Sequence, residues 1–434
     1  MKRFQRCVSG VLKNGIMLVL GLLLLVLADG AMGGEKAFRS VPLQSRIKLV
    51  QPMTGIVLWA DSDHNATDAI QLEYSYCRYN DIVRERGKYD WSKLEKLLDD
   101  ISGRNHQAIL RFYDTHPGQQ TTVPDYIKRR PDYKGTRGKS EKQDTGFPDW
   151  SNAEWRRFVL EFYTKFAERY DRDRRLAFLE TGFGLWAEYH IYDGPCILGR
   201  TFPDKPFQAE FLKHLGKVFR ETPWMISVDA ADSDYSPMEA DSDLLNLNFG
   251  LFDDSFLCKQ HAKVNEKNWN FFGRERFLRA PTGGELSYYN NRDQKEALSL
   301  SGPNGVPFLK AAGAFHITFM IGNDQPNYQK MECIRQAGQA CGYRFRVKAF
   351  KSDGKLSRLT MANEGVAPLY HDAFVAVGGV RAQETLKGLA PGSERMYLVT
   401  ASGLTGKVSI ESDRLVKSQV IEFNADLSGE GEIR

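Results

Sequence analysis

Apolar residues recur along residues 50–340 in two alternating rhythms. Short runs with few polar breaks occur at 55–60 (GIVLWA), 72–79 (LEYSYCRY), 107–113 (QAILRFY), 175–181 (RLAFLET), 224–229 (WMISVD), 244–249 (LLNLNF), 276–280 (RFLRA) and 314–320 (AFHITFM). Runs of this kind are expected for parallel strands buried on both faces. Between them, apolar positions return every three or four residues. Residues 152–170 place Trp155, Phe158, Val159, Phe162, Tyr163, Phe166 and Tyr170 on one stripe, which predicts an amphipathic helix. Ser151-x-x-Glu154 reads as a capping box ahead of it, with Trp150 and Trp155 as a hydrophobic staple. A second box, Asp90-Trp91-Ser92 completed by Glu95, predicts a helix over 93–102. Further helices are expected at 207–221, 290–299 and 325–339. The stretch after the first strand is too short and polar for one.

Eight such strands alternating with helices predict an α/β fold, a closed (β/α)8 TIM barrel over residues 50–340. The rival is an open doubly wound sheet, disfavoured because no Gly-rich phosphate loop follows an early strand. Beyond Cys341 the rhythm changes to a period near two, in runs such as GYRFRVKAF (342–350), LSRLTMAN (356–363) and RMYLVTA (395–401). This predicts a small C-terminal antiparallel β-sandwich over 342–434.

Composition adds a leader. Lys2, Arg3, Arg6 and Lys13 precede the apolar run IMLVLGLLLLVL (16–27), and small residues follow at Ala28 and Gly30. Residues 1–30 therefore read as a signal peptide, its apolar core too short for a comfortable membrane span. An exported protein, periplasmic or secreted, is expected. Without those residues, which hold four basic side chains and one acidic, 59 basic against 55 acidic becomes 55 against 54, a net charge of +1. No nucleic-acid partner and no integral membrane domain after signal cleavage are expected from that balance. Five scattered cysteines remain after the expected signal (Cys77, Cys196, Cys258, Cys333 and Cys341); no disulfide framework is expected, and one bridge could form in an oxidising compartment. Without CxxC or HExxH, no metal site and no cofactor are expected. The acidic run 229–243 reads as a solvated loop, because Pro237 stands where a calcium loop needs glycine.

In a barrel, chemistry lies where the strands end. The candidates there are Trp59 and Asp61 after strand 1, Arg78 after strand 2 and Arg111 in strand 3. Trp186, Glu188 and His190 follow strand 4. Asp229 follows strand 5, Asn248 strand 6, Glu285 and Tyr288 strand 7, and His316 lies in strand 8. Carboxylates, arginines and aromatics suit a sugar, which offers hydroxyl groups and an apolar C–H face. Two carboxyl groups flanking a glycosidic bond supply an acid and a nucleophile, about 5–5.5 Å apart in a retaining enzyme. Glu188 and Glu285 are the expected catalytic pair; the ten other residues are expected to bind substrate. Glu180, inside strand 4, is a rival acid or a partner of Arg78 or Arg111. Gly283 and Gly284 allow an unusual backbone or a close approach before Glu285.

The pattern resembles the superfamily of retaining glycoside hydrolases on (β/α)8 barrels, with the acid/base glutamate after strand 4 and the nucleophile after strand 7. That resemblance makes Glu188 the acid/base and Glu285 the nucleophile. Arg78 sits where the superfamily often holds an arginine near the nucleophile, and Gly87-Lys-Tyr-Asp-Trp-Ser92 looks like its second-strand loop. One departure is Ala187, where those enzymes usually carry an asparagine that bonds the sugar 2-hydroxyl. A nearer resemblance is to a bacterial family of exported barrel-plus-sandwich proteins, classed as a domain of unknown function. It rests on G-x-W-x-E-x-H (Gly184 to His190), Gly-Gly-Glu before residue 286, and Gly342-Tyr343-Arg344. The departure at Ala187 keeps a second reading open, a polysaccharide-binding protein on a degenerate barrel. A third is a lyase on uronic-acid polymers, compatible with the arginines.

Overall fold

The barrel closes through eight parallel strands in sequence order: β1 (Gly55–Trp59), β2 (Leu72–Arg78), β3 (Gln107–Tyr113), β4 (Leu176–Glu180), β5 (Trp224–Ser227), β6 (Gly250–Phe256), β7 (Thr282–Leu286) and β8 (Phe319–Ile321). This is a computed structural model; it describes residues 37–428, so the expected signal peptide lies outside the described residues. The chain thus has the TIM-barrel fold expected from its rhythm. The helices against it are α1 (Ser92–Gly103), α2 (Ala153–Tyr170), α3 (Lys205–Val218), α4 (Ala262–Phe272), α5 (Asn291–Glu296), α6 (Phe308–Ala314) and α7 (Met331–Gln339). As the polar composition implies, only turns join β1 to β2.

The stripe of α2 is buried as expected, and Phe162 stacks edge-on to Phe112 of β3 at 4.8 Å. Each such side chain removed from water contributes roughly 1.5–3 kcal/mol. Both expected capping boxes are replaced. Asn152 caps α2 by accepting from the Trp155 N–H, while Ser151 turns to Asp149. Glu95 is drawn away from the start of α1 by Arg169 and Arg175. Trp150 and Trp155 do pack, ring centroids 5.3 Å apart.

Two expected strands are corrected. Residues 244–249 enter the 3₁₀ turn Ser242–Asn246, and 276–280 enter the turn Arg276–Leu278. The strands follow each of them, in GLFDDSF and TGGEL. The last barrel strand starts at Phe319 rather than 314, and the expected helix 325–339 is a 3₁₀ turn followed by α7. Helices α4 and α6 had not been expected.

Past the barrel come β9 (Phe345–Ser352), β10 (Ser357–Asn363), β11 (Phe374–Val377), β12 (Val380–Arg381), β13 (Glu394–Val399), β14 (Val408–Glu411) and β15 (Phe423–Leu427). They form a six-stranded sheet and a three-stranded one. The pairings are antiparallel except β9 with β15, which run parallel. Two short strands from the start of the described chain complete the larger sheet: Leu43–Ser45 pairs with β15, and Arg39–Ser40 with β9.

These sheets seal the barrel's N-terminal end. Phe178, Met225, Phe252 and Phe319 inside the barrel share one apolar cluster with Phe345, Leu359 and Val375 of the sheets. Arg414 donates to the carbonyls of Asp171 and Leu176, and His371 meets the carbonyl of Ala177 at 3.1 Å. Burial pushes the His371 imidazole down to about 3, so it stays neutral. All five described cysteines are free thiols.

Candidate active site

Strand register assembles the site. Side chains alternate across a strand, so Tyr74 and Tyr76 of β2, Arg111 of β3 and Phe252 and Asp254 of β6 share the barrel interior. Pairing of β2, β3 and β4 sets Tyr76 beside Arg111 and Arg111 beside Glu180. The guanidinium lies over the Phe252 ring, 4.1 Å from its centroid. Its Nε donates to Glu180 Oε2 at 2.8 Å, and its Nη1 lies 2.6 Å from Asp254 Oδ2. Nη1 also reaches Glu188 Oε1 at 3.5 Å. A cation this deep must be paired, and Arg111 has three carboxylates around it.

Glu188 is delivered by an unusual loop. Gly184, Trp186, Ala187 and Tyr189 all have positive φ, at 80°, 52°, 62° and 68°. For residues other than glycine this costs roughly 1–2 kcal/mol each, and such strain gathers at functional sites. Backbone hydrogen bonds hold the conformation: Leu185 N to His190 O at 2.9 Å, Glu188 N to Leu185 O at 2.9 Å, and Tyr189 N to Phe183 O at 2.9 Å. Glycine is required beside it, because a Cβ on Gly182 would sit 2.1 Å from the Ala187 carbonyl oxygen.

Glu285 comes from within β7. Gly284, at φ 145°, lies so close to β6 that a Cβ would meet the Asp253 carbonyl at 2.0 Å. The paired glycines therefore serve the approach of β7 to its neighbours. Glu285 Oε1 is buried without a hydrogen bond. Burial raises the Glu285 carboxyl well above the usual range; Asp254 adds to the rise, and Arg111 and the Trp59 indole oppose it. Trp59 Nε1 is itself without a full hydrogen bond. Glu188 is likewise raised well above the usual range, by burial first and Asp254 next. Glu180 is raised by burial, with Arg111 opposing.

His190 and Asp229 complete the same face. His190 Nδ1 lies 2.9 Å from Asp229 Oδ2, and its Nε2 lies 3.7 Å from Glu188 Oε2. Trp186 stacks on Tyr192 at 6.1 Å and 17°, and Tyr192 is 59 % exposed. Half-buried Tyr288 follows β7; burial, Glu285 and Asp324 all push it up.

The remaining expectations fall elsewhere. Asp61 is exposed beyond β1. Arg78 ends β2 and, among the described residues, joins none of the site's ion pairs; Arg111 is the arginine that meets Glu180 and Glu188. Asn248 is corrected: β6 begins two residues later, so Asn248 lies at the opposite end of the barrel, in a hollow shared with Leu369, Tyr370 and Lys387. His316 is corrected too. It precedes β8, stacks on Phe277, and bonds the Val366 carbonyl through Nδ1 at 2.7 Å, far from the strand ends. Asp254 was missed, because the sixth strand was expected at 244–249 rather than at Gly250–Phe256.

No protein-family model matches the chain, and no curated protein matches it. Solved structures give a remote likeness to glycoside hydrolases. An α-amylase from Geobacillus thermoleovorans aligns at 12% identity and TM-score 0.37, covering 81% of this chain and 99% of its own. A glycoside hydrolase family 5 enzyme from Prevotella bryantii aligns at 9% and 0.39, covering 69% and 99%. An α-galactosidase from Thermus thermophilus aligns at 13% and 0.38, covering 73% and 66%. Likeness at this level says nothing of this chain's substrate.

Proposed function

We propose that the protein is an exported glycoside hydrolase acting on an oligo- or polysaccharide with retention of configuration. One observation carries this reading. Glu188, from the β4 loop, lies 3.5 Å from Arg111 Nη1, which Asp254 also meets at 2.6 Å, and Glu285, from β7, brings a buried, unbonded Oε1 under the influence of the same two groups. Two carboxyl groups flanking the scissile bond are what glycosidic cleavage requires. The productive state has Glu188 protonated and Glu285 ionised. Glu285 attacks the anomeric carbon while Glu188 gives its proton to the departing oxygen. Water then adds, losing its proton to Glu188, and Glu285 leaves. Trp186 and Tyr192 offer apolar faces to the sugar ring. In the same proposal residues 1–30 direct export, residues 50–340 form the catalytic unit, and 342–434 the sandwich that steadies it. The resemblance to the bacterial barrel-plus-sandwich family belongs to this proposal also.

A second reading, a non-catalytic polysaccharide-binding protein, is favoured by a different observation. Glu180 and Asp254 already occupy Arg111, and Glu285 has no ion pair to keep it charged. The test is a glycan panel with wild type, Glu188→Gln and Glu285→Gln. The enzyme reading expects cleavage by wild type, lost in both variants while binding survives. Binding without cleavage in all three supports the second reading.

A further inference from the structure

Asp229 lies in the 3₁₀ turn Val228–Ala231 just past β5, its N–H on Ser227 Oγ at 3.1 Å. Its side chain faces two elements. Oδ1 accepts from Asn268 Nδ2 of α4 at 3.3 Å, and Oδ2 meets His190 Nδ1 at 2.9 Å. An ionised carboxylate only accepts hydrogen bonds, so Nδ1 carries a proton. That leaves His190 Nε2 as a lone pair. It is buried without a hydrogen bond, and Glu188 Oε2 lies 3.7 Å away. The Tyr192 ring stands edge-on to the imidazole at 5.3 Å.

We infer that Asp229, His190 and Glu188 form a proton relay, in which Asp229 fixes the tautomer that lets His190 take up and return the Glu188 proton. In the forward step the Glu188 O–H bond breaks and its electron pair stays on the carboxylate. An N–H bond forms at Nε2, and the imidazolium charge rests against Asp229. The pair thus holds one proton in two places. The separation of 3.7 Å is too long for a hydrogen bond, and contacts of this kind tighten when a ligand binds. His190 is a positioning residue here, acting through Glu188. The relay also gives the buried acid an outlet, since Asp229 is about one-third exposed. The charged groups around the pair are Asp229, on His190, and Arg111, Asp254 and Glu285, on Glu188. The inference rests on the reading of Glu188 as the proton donor.

The test reads the histidine ring nitrogens by NMR in the full chain labelled with ¹⁵N-histidine, His190 being assigned by the signals lost in His190→Gln. At pH 8 the relay requires Nδ1 protonated and Nε2 bare. In Asp229→Asn the ring turns to the other tautomer or a mixture. As Glu188 gives up its proton, the bare Nε2 that faces it senses the new charge, so the His190 signals move a second time apart from the ring's own protonation; in Glu188→Gln that second movement is absent. An Nε2–H tautomer in the wild type, or the second movement kept in Glu188→Gln, overturns the relay. Glycan cleavage is read separately. A relay without cleavage overturns the enzyme reading alone, and cleavage with the second movement kept in Glu188→Gln overturns the relay alone.

Discussion

Arg111 Nη1 and Asp254 Oδ2 lie 2.6 Å apart at the centre of the barrel mouth, with Glu180, Glu188 and Glu285 around them. Asp254 is the negative neighbour that most raises both candidate catalytic carboxyls. In Asp254→Asn that influence is removed, and both groups release their protons at lower pH. The acid limb of turnover belongs to Glu285 and the alkaline limb to Glu188, so the whole pH profile is expected to move toward acid. A profile unmoved from wild type would show that Asp254 is silent in the chemistry.

Arg111 balances more than one buried carboxylate. Arg111→Met leaves Glu180 and Asp254 without a cation, and breaking such a pair costs about 3–5 kcal/mol. Arg111→Lys keeps the charge but loses the forked geometry on Glu180, so a smaller loss is expected. Urea unfolding measures both; a loss below about 1 kcal/mol for the methionine variant contradicts the account.

Asp114 gives a stability slope of defined sign. Both its carboxyl oxygens are buried without a full hydrogen bond. Burial pushes it up to about 7, while Thr115, the Gly184 N–H and the Trp150 indole oppose the rise. Between pH 4 and 7, on the order of three units, the folded chain keeps a proton that the unfolded chain releases. Stability therefore falls as pH rises through that window, by about 1.4 kcal/mol per unit, and is level outside it. Asp114→Asn abolishes this share, so the variant gains on wild type at pH 8 and not at pH 4. Part of the slope persists, since Asp253 is raised to about 7 by the same cause. Unfolding at a series of pH values decides it.

Ala187 sits at φ 62° between Trp186 and Glu188. Ala187→Gly relieves roughly 1–2 kcal/mol of backbone strain but adds about 0.5–1 kcal/mol of chain entropy to be lost on folding. Stability is expected to rise by no more than about 1.5 kcal/mol. Glycan binding is expected to weaken, because the loop that aims Glu188 loosens. Thermal unfolding and binding, measured together, separate the two effects.

The strands easiest to read were those most of whose residues serve packing, even where one of them, as Arg111 does, reaches the candidate site. GIVLWA, QAILRFY and WMISVD are apolar because both faces of the strand are covered. The sixth and seventh strands, GLFDDSF and TGGEL, are polar because they carry Asp253, Asp254 and Glu285 and bring two backbones close. Their neighbours LLNLNF and RFLRA looked more like strands and fold as turns against them. Charged and glycine positions thus erased the periodic signal just where the candidate site lies. Glu188 and Glu285 were singled out by their places after the fourth and seventh expected strands, Glu188 between Trp186 and His190 and Glu285 behind two glycines. Asp254 was not, although Phe252 and Asp254, two apart and flanked by Phe256, carry the alternation of a strand with one polar inner face.

Leu43 pairs with Leu427 across the large sheet. The earliest described stretch of the chain and the latest thus become neighbours. A ribosome delivers the barrel strands in order, and each can find its predecessor as it emerges. The edge along Leu43–Ser45 must stay unmatched until β15 exists. This sheet is expected to be the last part of the molecule to mature, and a polypeptide interrupted before residue 423 keeps an open edge through the whole of its life.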